Sequence, residues 1–305
     1  MTKVFCIMGP TACGKTDLAV QLVQQAPFEI ISVDSAMVYR NMNIGTAKPT
    51  ADILKIAPHR LIDIRDPAEN YSVGDFYREV QVEIANIAQN QKIPLLVGGT
   101  LLYFYLLQQG LSQLPETDEA IRLEIAEEAR QVGWEKMHAK LAKLDPVSAA
   151  RIKSTDPQRI GRALELYAMT GKTMTEWHQL QVREPARYEF INMVLAENDR
   201  PLLHQRIADR FQQMLQQGFI EEVKKLYERG DLTPELSSIR TVGYRQIWQY
   251  LAGEYNYETM CERAIFATRQ FAKRQFTWLR RWQDALWLQS GALKNISLIT
   301  RYIAE

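Results

Sequence analysis

Residues 9–16, Gly-Pro-Thr-Ala-Cys-Gly-Lys-Thr, fit the pattern GxxxxGK[ST] without a mismatch. This constrains the fold more than any other feature, because the pattern works only where a buried strand leads in and a helix leads out. Both are legible. Residues 3–8 (KVFCIM) are a short apolar run that predicts a buried strand, and residues 16–25 read as a helix. Gly9 and Gly14 allow a tight backbone path that turns amide N–H groups inward. The helix adds its positive end to the same anion site. Lys15 can reach a terminal phosphate and Thr16 can offer its hydroxyl to Mg2+, while Pro10, Thr11, Ala12 and Cys13 complete the cradle. The bland alternative is a chance glycine turn, and the flanking strand and helix count against it.

Further apolar runs at 29–34 (EIISVD), 60–64 (RLIDI) and 93–97 (IPLLV) alternate with helical sequence. Ser72, with Asp75 three residues on, predicts the N-cap of a helix reaching about residue 89. Strands and helices in short alternation imply a parallel sheet covered on both faces. The pattern changes after Gly110. Residues 113–185 show charged helical sequence without a convincing strand, with breaks at Pro115, Asp145-Pro146 and Asp156-Pro157. A strand-like run returns at 190–196 (FINMVLA), and helical sequence then continues to the end, split by Gly218. The expected fold class is α/β, a P-loop NTPase-like parallel sheet flanked by helices (1–112 and 186–305), interrupted by a small helical insertion (113–185).

Composition closes off other classes. With 37 basic and 36 acidic residues, the chain has no global basic coat. Its three cysteines form no CxxC pair, so neither a disulfide framework nor a cysteine zinc site is supported. No apolar run approaches the roughly 18 residues of a membrane span, and the opening run is too short for a secretory leader. The expectation is a soluble cytoplasmic protein without a membrane partner.

A phosphate loop says that a polyphosphate binds, ATP or another, without saying which. ATPases and GTPases add a strand ending in an Asp that holds Mg2+, whereas IPLLV ends in Gly98-Gly99-Thr100. That leaves a kinase of a small substrate, or a transferase using another pyrophosphate. Asp34 ends the second strand, at the edge where open α/β sheets bind ligands. It could accept a proton from an incoming nucleophile or merely cap the following turn, and the residues alone leave both open.

The stretch Asp34-Ser35-Ala36-Met37-Val38-Tyr39-Arg40, then Asn43-Ile44-Gly45-Thr46-Ala47-Lys48-Pro49, closely resembles the tRNA dimethylallyltransferases, or isopentenyltransferases. So do His59–Asp63, Val97–Thr100, Asp156–Glu165, Arg240–Gln246 and Thr268–Gln275, in the family's order over about residues 4–282. The chain ends without the zinc finger of eukaryotic members and so looks like the bacterial form. The resemblance implies transfer of a dimethylallyl group from dimethylallyl diphosphate to the N6 amine of the adenine 3′-adjacent to the tRNA anticodon. The phosphate loop and Mg2+ on Thr16 would hold the diphosphate. Asp34 would be the general base, with Thr100 and Arg240 beside the diphosphate and the channel. tRNA contacts are implied at Asp34, Ser35, Ala36, Met37, Thr100 and Arg122. They are also implied at Gln158, Arg159, Ile160, Gly161 and Arg162, and at Arg240, Thr241, Val242, Gly243, Tyr244 and Arg245. The insertion would close over the anticodon stem-loop, and a monomer is expected.

Residues 257–282 read as one helix. At about 100° per residue, Cys261, Ala264, Ile265, Thr268, Phe271, Ala272, Gln275, Leu279 and Trp282 share one face. Arg263, Arg269, Lys273, Arg274, Arg280 and Arg281 fall on the opposite arc, with no acid between 263 and 283. One-sided charge suits an RNA backbone, with Lys273, Arg274 and Arg280 as contacts. The bland reading is a solvated face paired to the acidic insertion. Leu101–Leu107 reads as a buried helix, Cys13 as a small packing residue, and the four histidines show no metal-ligand spacing. The rivals to a tRNA prenyltransferase are a small-molecule or nucleoside kinase and a non-catalytic RNA-binding module.

Overall fold

The structure, a computed structural model, describes residues 1–110, 114–180, 187–197, 199–292 and 294–304. The apolar run before the phosphate loop forms β1 (Thr2–Met8), whose last five residues are buried. The chain continues through α1 (Lys15–Gln25), β2 (Phe28–Val33), α2 (Ala51–Ile56), β3 (His59–Arg60), α3 (Val73–Gln89), β4 (Ile93–Gly98) and α4 (Leu101–Gln109). Next come the helices α5 (Glu119–Val132), α6 (Trp134–Leu144), α7 (Pro146–Arg151), α8 (Pro157–Thr170) and α9 (Met174–Leu180). The last part holds β5 (Tyr188–Ala196), α10 (Arg200–Gln216), α11 (Phe219–Tyr227), α12 (Tyr244–Leu251), α13 (Tyr257–Leu279), β6 (Leu286–Gln289) and α14 (Asn295–Ala304).

Two compact units result: Met1–Gln109 with Ala186–Glu305, and Gly110–Pro185. The expected boundary residues 113 and 185 themselves lie outside the described residues. In the first unit all six strands are parallel, in the order β3-β2-β4-β1-β5-β6. Register brings Met8, Val33, Gly98 and Val194 level. The residues that follow three of these ends, Gly9, Asp34 and Gly99-Thr100, are therefore delivered to one carboxyl edge, where such sheets bind ligands.

Two expectations are corrected. Of the third run only Arg60 pairs with β2, together with His59 just before it, because Leu61 (φ 60°) and Asp63 (φ 56°) turn left-handed and lead the chain off the sheet. The final segment is not wholly helical, since Leu286–Gln289 pairs with β5 as an edge strand. Ser72 caps α3 as expected, in a reciprocal capping box with Asp75.

In the second unit the described residues are helical, around Ile125, Met137, Leu141, Ile160 and Leu164. The two Asp-Pro pairs that read as breaks are helix starts. Asp145 and Asp156 accept amide bonds from Ser148 and Arg159, with proline in the first turn of α7 and α8. Each such cap contributes about 0.5–2 kcal/mol.

Candidate active site

In the phosphate loop, Ala12 (φ 63°) and Gly14 (φ 82°) take the left-handed turns that aim the backbone inward. Gly14 caps α1 without a side chain, so the first amides of the helix are left to an anion. The Lys15 ammonium donates to the carbonyls of Gly9 (3.0 Å) and Pro10 (2.7 Å), which holds it over its own loop. Gln275 braces the loop from α13: its Oε1 accepts from the Thr11 amide and its Nε2 donates to Gly99 O, both at 2.9 Å. Ser290 Oγ donates to Cys13 O from the other side (2.8 Å). Cys13 is buried among Ile7, Leu18 and Leu195, so packing is its role.

Asp34 Oδ1 accepts from the amides of Ala36 (2.8 Å) and Met37 (3.2 Å), the turn-capping arrangement. Its Oδ2 has no hydrogen-bond partner among the described residues, so capping orients the carboxylate and leaves an oxygen for a proton. The Ser35 amide donates to Thr100 Oγ1, which joins the exits of β2 and β4. A cavity of about 400 Å³ opens between these groups, α10, the start of α11, the 237–243 segment and α13. Asp34, Thr100, Arg240, Arg274 and the loop residues Thr11 and Ala12 all line it, beside an apolar wall of Ile207, Phe211, Met214, Phe219 and Phe271. No described residue of α4 does, so the expected buried helix is core.

Arg210 of α10 also lines the cavity. Burial lowers its pKa, partly offset by Cys13, Asp34 and Asp17 nearby, and it forms no salt bridge among the described residues. A desolvated guanidinium without a carboxylate partner beside a phosphate loop suits an incoming anion. Arg210 is not singled out in the sequence, and Gln275 is read only as part of a motif and of a helix face, not as a site residue. The available signals were an arginine in register with Ile207, Phe211 and Met214, and a lone amide on the buried face of a helix.

The family model described as IPP transferase matches residues 37–282. A tRNA dimethylallyltransferase of Coxiella burnetii is 55% identical over 300 residues, covering 98% of this chain and 96% of the relative. The chain belongs to the tRNA dimethylallyltransferase family. Among solved structures, the full-length tRNA isopentenylpyrophosphate transferase of Bacillus halodurans superposes with a TM-score of 0.73 at 36% identity, covering 100% of this chain and 96% of that one. A eukaryotic dimethylallyltransferase captured acting on tRNA gives 0.81 at 29% identity, covering 100% and 78%.

The remaining residues expected from membership of the tRNA dimethylallyltransferase family fall into different settings. Ser35, Ala36, Thr241, Val242 and Gly243 line the cavity, and Arg245 is exposed. Met37 lies outside the lining, its sulfur beside Ser32 Oγ (3.7 Å). Tyr244 is fully buried, with its hydroxyl on Glu222. Ile160 is fully buried in the core of the second unit. In that unit Arg122, Gln158 and Arg159 are exposed beside a half-buried Gly161. Arg162 is tied to Glu165 (2.8 Å) and to Pro115 O.

On α13, Ala264, Ala272, Gln275 and Leu279 are buried as the periodicity predicts, although the helix ends at Leu279. Arg263, Lys273, Arg274, Arg280 and Arg281 of the basic arc are exposed, with Arg263 and Arg281 lying over Tyr255 and Trp278, and Arg269 is half-buried. None of the six is in a salt bridge among the described residues. Those residues also contain no group of three or more His, Cys, Asp or Glu able to hold a metal, and no helix long and apolar enough to cross a membrane.

Proposed function

We propose that this chain transfers a dimethylallyl group from dimethylallyl diphosphate to the N6 amine of the adenine 3′-adjacent to the tRNA anticodon, giving N6-dimethylallyladenosine. The observation that carries the reading is the single cavity lined by phosphate-loop residues, Arg210, Arg240 and Asp34 together. A nucleotide motor would want an acidic residue at the end of β4, where Gly98 and Gly99 stand.

The diphosphate lies on the loop amides and the start of α1, with Lys15 and Arg210 as its cations. Thr16 offers one hard oxygen donor and would hold Mg2+ together with the donor substrate. Mg2+ held there would supply countercharge for the leaving group. An exocyclic adenine amine is a weak nucleophile, because its lone pair is delocalised into the ring. As the N6–C1 bond forms and the C1–O bond breaks, the diphosphate departs with the bonding electrons. The N6 proton passes to Asp34 Oδ2, which later releases it to water. The target base must leave its stack, and the channel beside Arg240, Thr241 and Val242 receives it.

Lys273, Arg274 and Arg280 meet phosphates of the anticodon stem-loop. Arg122, Gln158, Arg159 and Arg162 serve the same loop as the helical unit closes over it. Tyr244 and Ile160 contribute only by holding their segments in place. The protein acts as a monomer in the cytoplasm. The test combines purified protein, unmodified tRNA, Mg2+ and either dimethylallyl diphosphate or ATP. Prenyl incorporation that vanishes in Asp34→Asn supports the reading. Phosphate transfer from ATP, or binding without turnover, overturns it.

A further inference from the structure

We infer that Phe219 is the stop that limits the allylic donor to a single five-carbon unit. The inference rests on the transfer reading above and names a determinant of its donor.

Phe219 opens α11 and lines the cavity, yet is only 1% exposed. Away from the cavity its ring is closely packed. It meets Phe211 edge-on at 6.4 Å and Tyr244 at 4.9 Å between centroids. Two glycines press on it. A Cβ on Gly45 would lie 2.2 Å from Phe219 Cε2 and Cζ, and one on Gly243 would lie 3.0 Å from Cε1. Both positions lack a side chain where the ring needs the space.

The wall behind the ring is also locked. Glu222, one turn further along α11, accepts from three successive amides, Asn43 (3.0 Å), Ile44 (2.9 Å) and Gly45 (3.2 Å), and from the Tyr244 hydroxyl (2.5 Å). One helix thus carries both the ring and the carboxylate that fixes the loop pressed against it. Ile207 and Phe211 are buried beside it, whereas Met214 is a flexible thioether and Phe271 is half-buried. A rigid floor rejects extra methylenes, whereas a flexible one adapts. A second isoprene unit would have to displace a ring that has nowhere to move.

The experiment compares kcat/KM for geranyl and dimethylallyl diphosphates in the unaltered protein, in Phe219→Leu and in Phe219→Ala, with tRNA saturating. The ratio is expected to rise on the order of tenfold or more in both variants, since one methylene is worth 10–200-fold in a tight pocket. An unchanged ratio in a variant that still transfers dimethylallyl overturns the inference. If neither variant folds, inhibition of the unaltered protein decides. Geranyl diphosphate is expected to compete no better than inorganic diphosphate, and competition tenfold tighter, or turnover, removes the stop. Failure of the unaltered protein to use dimethylallyl diphosphate at all would instead sink the transfer reading.

Discussion

The Ser35 amide donates to Thr100 Oγ1 at 3.1 Å, so a single hydroxyl couples the residue after Asp34 to the end of β4. The Thr100 amide in turn donates to Val33 O (3.2 Å). The carboxylate is therefore positioned from a neighbouring strand, through side chain and backbone together. Thr100→Val keeps the shape and deletes the acceptor. It is expected to lower kcat by about 10²-fold, the cost of a misplaced reacting group, with little change in KM for tRNA. Thr100→Ser should recover most of the rate. A Val variant with unchanged single-turnover rate would remove Thr100 from the machinery.

Asp34 carries two tasks on two oxygens, and substitution can separate them. Asn retains an oxygen for the amides of Ala36 and Met37 but cannot take a proton. Asp34→Asn should lose about 10²–10⁴-fold in kcat while keeping the melting temperature within a few degrees. Asp34→Ala loses the cap as well and should be less stable by about 1 kcal/mol. Equal melting curves for the two variants would contradict the capping role.

Gln275 is buried and bridges the phosphate loop to Gly99. Gln275→Glu keeps the acceptor for Thr11 but sets an oxygen against the Gly99 carbonyl. The expected result is a KM for dimethylallyl diphosphate raised about tenfold or more, since an unsatisfied buried group costs about 1–3 kcal/mol. tRNA affinity measured without the donor should barely move, and a tRNA defect of equal size would point to general unfolding.

Strand, loop and first helix were legible in the sequence because they are encoded within about twenty-five consecutive residues. The Ser72 cap and the buried face of α13 were legible for the same reason. Glu222 was not, since its amide partners lie 177–179 residues away. Arg210 was not, since only the folded cavity distinguishes it from other helical arginines. Tyr244 and Ile160 sit inside expected contact motifs, and their side chains point into cores that the flanking polar residues disguise. The short extent of β3 and the existence of edge strand β6 are set by their pairing with β2 and β5, which no local pattern announces.

Asp66 pairs with Arg229 at 2.8 Å and accepts from the Ala68 amide, tying the loop after β3 to the end of α11. The guanidinium holds the Asp66 carboxyl below the usual carboxylate range. A group depressed in the folded state stabilises above its unfolded pKa, about 4. That contribution fades as pH falls through the folded value. Both side chains are roughly 30% exposed, so the gain is under about 1 kcal/mol. Asp66→Asn should melt slightly below the parent at pH 6, with the two curves converging as pH falls below the folded value. A gap constant across that range would exclude the ion pair as its source.

Lys273 and Arg280 are two exposed cations of the basic arc, free of salt bridges among the described residues and outside the cavity lining. Cations without local carboxylates gain most from a polyanion, because binding releases its condensed counterions. Replacing both by Gln should weaken tRNA binding and reduce the slope of log K against log salt by about 0.7–0.9 for each phosphate no longer neutralised. Because neither residue touches the cavity, kcat at saturating tRNA should stay within about twofold of the parent, as expected when only uniform binding is removed. Titrations across a salt series check the slope. Parallel lines for parent and variant would mean that this helix face lies away from the RNA.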